Sequence, residues 1–513
     1  KKIPAHIVGD FTAVGNVLVF QKVTNGIQSA SHGYANRELY DLAVENDFRI
    51  PKGYALSQVD LPMLMNDFMK FVKDRPWEPD EHAWINAVRL TVEQNSPYLS
   101  GSVMLYSEAK KRAERSKSPG AFWNKYFKTK GQAYDDPVGN RIIFNTIDYI
   151  MQTGDLNVNT WHQASPKIEV RPLEKLMGEN PKVRVFMCCD IIFYTVGIML
   201  YANQNDHFIE AWDTKNYSAV GCSLQYGCWH TLFRTLTDDM PMMEALKVIF
   251  HAFDISGMEA TLVAAIFDYI YKMRNDKLLI PPEYQRQFDN LKKWYLKVLL
   301  YAYVIDPHGF LIMMFGGNPS GGFNTLTDNG FAQMLYANYC PAIHLRTYDE
   351  LREFALKHMR VKMVGDDSLF RDHKFLPNYI TDVQCLGVTI KYECEPGPIL
   401  TQKLCNCGFL LSTKYCMLVP SANIDKMLAN VFYNMKKNSW RLAYVKLQAL
   451  LFFTQIDPVL HYQVQTMIKY VEDHHMKDME NENLDDILTF HATLQQAKTS
   501  EELKFLMYGI NAE

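Results

Sequence analysis

An aspartate that closes a hydrophobic run, Asp254, is followed by the glycine-rich stretch S-G-G-F-N-T-L-T-D-N from Ser320 to Asn329. Further on stands V-G-D-D-S, from Val364 to Ser368. Carboxylates are the hard oxygen ligands that divalent cations prefer. Brought to one point from separate parts of a chain, three of them could hold two cations about 3.5–4 Å apart. That arrangement serves nucleotidyl transfer: one cation makes an attacking hydroxyl more acidic and the other clamps the leaving pyrophosphate. The chemistry therefore requires a fold in which Asp254 and the Asp366-Asp367 pair converge.

A G-D-D tripeptide alone turns up by chance in about one chain of this length in ten. Other aspartate pairs, Asp135-Asp136, Asp238-Asp239 and Asp485-Asp486, read as turns or helix surfaces. Asp366-Asp367 differs in its setting. Arg360 to Val364 and Ser368 to Phe370 predict two strands around a tight turn, with Gly365 supplying backbone freedom and two carboxylates at the tip. Upstream, L-K-V-I-F-H-A-F from Leu246 predicts a buried strand with Asp254 at its end. Between the two, Gly316, Gly317, Gly321 and Gly322 cluster around Ser320, and a periodic stretch from Thr325 to Tyr339 follows. This predicts a glycine loop feeding a helix.

Glu259 lies one turn beyond Asp254, where it could meet the ribose of an incoming nucleotide or could equally be an exposed helix-start residue. Asn329, with an amide donor and acceptor, is its natural partner for a 2′-hydroxyl.

The rest of the chain bounds these readings. Its 513 residues allow several subdomains, and 48% hydrophobic with 13% aromatic content argues for a folded chain nearly throughout. A net charge of −4 argues against a protein that coats nucleic acid by bulk positive charge, although a local basic channel remains open to it. One such run, A-K-K-R-A-E-R-S-K from Ala109 to Lys117, reads equally as a solvated helix face. The ten cysteines include no C-x-x-C pair, and they read as reduced thiols rather than a zinc site. The most apolar stretch, Val185 to Ala202, is broken by Asp190 and predicts a buried element rather than a membrane span. The first ~200 residues, punctuated by S-P-G at Ser118 and D-P-V-G at Asp136, read as irregular. Leu291 to Tyr301 predicts a helix and I-D-P-H-G from Ile305 a turn between two strands. Past Tyr415 the pattern turns helical over Ile424 to Met435, Trp440 to Phe453 and His461 to Glu472.

With these motifs in this order, the chain resembles the viral RNA-dependent RNA polymerases of the positive-strand, picornavirus-like supergroup, and among them most the astrovirus polymerases. The likeness includes K-W-Y at Lys293 to Tyr295, leading to G-N-P-S-G-G-F-N-T-L-T-D-N, and spans Ser118 to Phe409. It implies a mixed α+β fold, a right-hand polymerase whose palm is a small antiparallel sheet flanked by helices. Fingers would cover 1–210 and return over 276–312, the palm 211–275 and 313–412, and a helical thumb 413–513. Asp254 and Asp366 would ligate both metals, Mg²⁺ or Mn²⁺ in its place, with Asp367 as auxiliary acid. Ser320, Gly321, Thr325 and Asn329 would select the ribose together with Glu259. Lys167, Lys182 and Arg184, in K-I-E-V-R and P-K-V-R, would line the nucleotide entry path. Ser118 and Gly120, beside Lys110, Lys111 and Arg112, would meet the template, and Gly408 and Phe409 would support the primer end, although an ordinary hydrophobic hairpin fits the last two as well.

Two departures from the family stand out. Glu259 occupies a position usually held by aspartate, and Gln384 one usually held by a lysine proposed to protonate pyrophosphate; Lys391, Lys374 or water could take that role. The resemblance further implies RNA template and product strands, ribonucleoside triphosphates and other viral replication proteins as partners. It also implies a polyprotein origin, to which the Lys1-Lys2-Ile3 start would be suited, and work in the host cytoplasm at membrane-associated replication complexes. The rival readings are a reverse transcriptase-like enzyme and a non-catalytic RNA-binding scaffold with the same fold.

Overall fold

The computed structural model describes residues 12–510 apart from 15–16, 32, 435–438 and 482–498. The Asp485-Asp486 pair and Met435 lie outside the described residues.

Apolar and aromatic residues on both faces make Ile249–Ile255 a strand that must be covered on both sides, and it becomes the centre of a five-stranded antiparallel sheet. Asp367–Arg371 pairs along one edge of it, Val361–Val364 lies outside that, and Ile390–Tyr392 and Gly397–Pro398 pair along the other edge. The tight turn is present, with Gly365 at φ +60°. The second strand starts at Asp367, so only Asp366 stands in the turn itself. The helix Thr325–His344 packs over this sheet, its Phe331 and Leu335 sharing a core with Phe253, Val361 and Met363.

A second sheet has six strands in the order Thr12–Val14, Val17–Lys22, Phe310–Phe315, Tyr301–Ile305, Trp161–Pro166 and Val185–Cys188. The I-D-P-H-G turn joins its two middle strands, as expected. The strand Phe310–Phe315 pairs along its length with Tyr301–Ile305 and Val17–Lys22, so it runs across the expected boundary at residue 312. The expected helix ahead of it is longer than predicted, Gln285–Leu300.

The N-terminal 200 residues are far from irregular. They contain the helices Glu81–Asn95, Pro137–Thr153 and Ile191–Ile209. The D-P-V-G tetrapeptide, read as punctuation of an irregular stretch, is a helix start. Asp136 accepts from the backbone N–H groups of Val138 at 3.0 Å and Gly139 at 2.8 Å, and Pro137 takes the first helical position, where its missing N–H costs nothing. Asp190 caps Ile191–Ile209 in the same way, which divides the apolar stretch into a strand and a buried helix. No helix of the described residues is long and apolar enough to cross a membrane.

The C-terminal region begins with a strand, Met417–Ser421, before turning helical. That strand pairs with Cys407–Ser412, so the hairpin runs across the expected boundary at residue 412. The helices Ile424–Phe432, Trp440–Phe453, Pro458–Glu480 and Ser500–Tyr508 follow. One segment from the other end of the chain joins them. Tyr34–Ala35 pairs with Tyr433–Asn434, and Leu39 and Ala43 of the helix Arg37–Glu45 are buried against Leu428, Val431 and Leu447. Residues 34–50 thus pack with the C-terminal helices.

Candidate active site

Strand register sets the centre of the site. Asp254 stands directly opposite Asp367 on one neighbouring strand and Lys391 on the other, and directly opposed residues in an antiparallel sheet project to the same face. Asp366 is docked from the turn, its carbonyl accepting from the N–H of Ile255 at 3.0 Å. Carboxylate oxygens of Asp254, Asp366 and Asp367 thus lie within 4.8 Å of one another. The three acids that the sequence singled out meet at one point.

Three carboxylates crowded into a partly buried space resist ionising together. Burial, followed by the charges of Asp254 and Glu259, raises the Asp366 carboxyl above its ordinary range, while Arg184 opposes the rise. Burial, then Asp366, Asp254 and Glu393, push Asp367 up to about 7. Lys391 answers part of this charge: its Nζ lies 2.9 Å from Asp254 Oδ2, and that contact raises the lysine above its usual value. Hard oxygen donors, excess negative charge and a displaceable ammonium suit the site to divalent cations.

The glycine loop leans on the second sheet. Ser320 Oγ accepts from the N–H of Met187 at 3.0 Å, and a Cβ on Gly321 would lie 2.3 Å from the Met187 carbonyl, so only glycine fits. Thr325 closes the loop by donating to the carbonyls of Pro319 at 2.6 Å and Gly322 at 3.0 Å. Glu259 and Asn329, both expected at the ribose, each have a partner of their own. Glu259 Oε1 is bound by the ammonium of Lys70, whereas Asn329 Oδ1 accepts from Asn318 Nδ2 at 2.8 Å. Asn318 also donates its backbone N–H to the carbonyl of Glu259 at 2.7 Å, so it stands between the two.

Of the basic residues, Lys167 and Arg184 flank Glu169, each 3.4 Å from one of its oxygens, and about half of each side chain is exposed. Arg184 leads into the strand against which Ser320 rests, and its charge favours the ionised form of Asp366. Lys182 is exposed in the same segment.

The structure places the remaining candidates differently. Arg112 is paired with Asp206 at 2.8 Å, Lys110 donates to Asn140 Oδ1 at 3.3 Å, and Lys111 is exposed. Ser118 donates to Asn124 Oδ1 at 2.6 Å, and Gly120, at φ +102°, packs against the Cys189 carbonyl. The Phe409 ring is 2% exposed and stacks on Trp229, with centroids 4.7 Å apart. The hairpin is braced there, Trp229 Nε1 donating to the Gly408 carbonyl at 3.1 Å. Lys374 points elsewhere in its contacts. It lines a separate cavity of about 260 Å³ at the Arg371 end of the strand that begins with Asp367, its ammonium 4.7 Å from the Phe375 ring centroid. Gln384 opens a single turn, Gln384–Leu386.

Three contributors escaped the sequence reading. Lys70 is one. Gln333 is another, its Nε2 donating to the carbonyls of Gly365 and Asp367. The third is the fully buried pair Arg274–Asp328, 2.7 Å apart, beside the start of the Thr325–His344 helix. Arg274 also donates to Gln204 and Asn205, and Tyr271 donates to Asp328. A lone Arg-Asp pair separated by more than fifty positions carries no local signal.

Comparison with known proteins places this geometry. A model of the viral RNA-dependent RNA polymerase family matches residues 57–491, well over half of the chain. The non-structural polyprotein 1AB of Turkey astrovirus 1 is 27% identical over 282 residues, covering 52% of this chain and 16% of that polyprotein. The genome polyprotein of Beet mosaic virus is 26% identical over 240 residues, 47% of this chain and 7% of its own length. The chain thus matches less than a fifth of either relative. Among solved structures, the Sicinivirus 3Dpol RNA dependent RNA polymerase superposes with a TM-score of 0.70 at 14% identity, covering 89% of this chain and 94% of that one. The fold is the mixed α+β right hand of these polymerases. With its acidic cluster and its match over residues 57–491, this chain belongs to the viral RNA-dependent RNA polymerase family.

Proposed function

We propose that the chain is an RNA-templated RNA polymerase that joins ribonucleoside triphosphates by two-metal nucleotidyl transfer, replicating a positive-strand viral genome. The convergence of Asp254, Asp366 and Asp367 carries this reading. Asp254 and Asp366 are the metal ligands, with Asp367 in support. When bound, Mg²⁺, or Mn²⁺ in its place, supplies the Lewis acid that acidifies the primer 3′-hydroxyl and stabilises the departing pyrophosphate.

The protein's own groups do the rest. Arg184, Lys167 and Lys182 draw in and orient the triphosphate by fixed positive charge. Glu259 and Asn329 offer hydrogen-bond partners to the ribose 2′-hydroxyl, and a pocket built for that hydroxyl discriminates strongly against its absence. The loop from Ser320 to Thr325, braced on the Val185–Cys188 strand, and the helix that follows it select the ribose. We assign the fingers to residues up to 210, apart from 34–50, and to 276–315, and the palm to 211–275 and 316–421. The thumb comprises the helices beyond, joined by 34–50. Ser118, Gly120 and Lys111 are the template-side candidates. Partner replication proteins at host cytoplasmic membranes complete the proposal.

Primer extension on a short RNA template tests it, with Mg²⁺ or Mn²⁺, with ribo- or deoxyribonucleotides, and with Asp366→Ala. Ribonucleotide-selective extension lost in Asp366→Ala supports the reading. Tight RNA binding without extension under either metal favours the scaffold, and efficient deoxyribonucleotide use favours a reverse transcriptase.

A further inference from the structure

We infer that Lys70 is a positioning residue for sugar selection, holding Glu259 in the orientation that meets the ribose. The inference rests on the reading of Glu259 as a ribose contact. Lys70 lies just past the helix Leu61–Phe68, before the stretch that carries the family motifs, and its ammonium bridges two acids. One is Glu259 Oε1. The other is Asp67 Oδ2, at 3.0 Å, which also accepts from the N–H of Val185 at 2.8 Å.

The side chains of Lys70, Asp67 and Glu259 are 18%, 12% and 18% exposed, so this is a largely desolvated triad and not a surface ion pair. Arg184 immediately precedes Val185, so one chain of contacts joins the basic entry segment to the sugar-side acid.

The need for such a clamp follows from the residue itself. Glutamate has one more rotatable bond than the aspartate usual at this position, and each free rotor weakens a directional hydrogen bond by the entropy of fixing it. Asn329 does not fix Glu259: its Oδ1 accepts from Asn318 Nδ2, and among the described residues its Nδ2 makes no hydrogen bond to the Glu259 carboxylate. Lys70 engages one carboxylate oxygen and leaves Oε2 to accept from a 2′-hydroxyl, while Asn318 orients Asn329 to donate from Nδ2. The ammonium also offsets a fourth negative charge beside the three metal-site acids, where Glu259 is already felt at Asp366.

The test compares kcat/KM for a ribonucleotide and its 2′-deoxy analogue in the wild type, Lys70→Met, Lys70→Gln, Lys70→Arg, Glu259→Gln and the Lys70→Met/Glu259→Gln double variant, with thermal unfolding of each. The ribo-to-deoxy ratio should fall about tenfold or more in Lys70→Met and Lys70→Gln, chiefly by loss of ribonucleotide use, and recover substantially in Lys70→Arg. The double variant should be no less selective than Glu259→Gln alone, because two residues acting through one contact are not additive. A wild-type ratio in either folded neutral variant, alongside a lowered ratio in Glu259→Gln, overturns the role of Lys70 while leaving the ribose pocket standing. An unchanged ratio in Glu259→Gln overturns the pocket reading itself, and the role of Lys70 with it.

Discussion

Gln333, fully buried on the helix that carries Asn329, donates from Nε2 to the carbonyl of Gly365 at 2.5 Å, inside the turn that presents Asp366. It reaches the Asp367 carbonyl at 3.3 Å as well. One side chain therefore couples the sugar-side helix to the metal-side turn. Gln333→Leu should leave those carbonyls unsatisfied at a cost of about 1–3 kcal/mol in stability. A turn displaced by even a fraction of an ångström should lower kcat about 10–100-fold. Thermal unfolding and single-turnover extension on the same preparation check both; a stable variant with normal kcat would show that the turn holds its shape without Gln333.

The buried Arg274–Asp328 pair gives a second expectation. Removing one member of a buried pair leaves the other charge or its hydrogen-bond partners uncompensated, which typically costs about 3–5 kcal/mol. Arg274→Met should be destabilised by that amount in urea unfolding. Activity should be lost in parallel, because Arg274 is 3.4 Å from the Oδ1 of Asn324, at the start of the sugar-side helix.

Lys391 occupies the acid side of the site as a cation of the chain's own. Metal binding at Asp254 must displace it or share that carboxylate with it. Lys391→Met should lower the Mn²⁺ concentration for half-saturation about two- to fivefold, the worth of one exposed ion pair. Calorimetric titration of Mn²⁺ into the nucleotide-free protein measures this without reference to turnover. Weaker metal binding in the variant would show that Lys391 shapes the site instead of competing for it.

His373 sets a pH dependence. Burial among Phe354, Phe370 and Phe375 pulls its imidazole down to about 4, against about 6.5 in an unfolded chain. Between those values the unfolded chain binds the proton and the folded chain does not. Stability through this group therefore rises as pH rises from about 4 to about 6.5, and is lost on acidification. The gap in unfolding temperature between pH 4.5 and pH 7 should narrow in His373→Phe. An unchanged gap would place the acid sensitivity on other groups.

The aspartate of a β-rich run and the G-D-D turn were legible because strand period and turn chemistry are local; Asp254 and Asp366 lie where those local rules put them, whereas Asp367 opens the second strand instead of sharing the tip of the turn. The same locality misled at D-P-V-G, whose aspartate and proline serve a helix start as well as a turn; only the helix that follows Asp136 decides between them. The right hand itself was legible through resemblance, from motifs whose order survives low identity.

What tertiary structure alone decided is register and partnership across distance: Asp254 opposite Asp367 and Lys391, Lys70 on Glu259, Gln333 on Gly365, and residues 34–50 built into the C-terminal helices. None of these pairs is encoded by spacing. Each exists because buried faces from distant segments must share one core, and the polar groups carried into that core must find partners there.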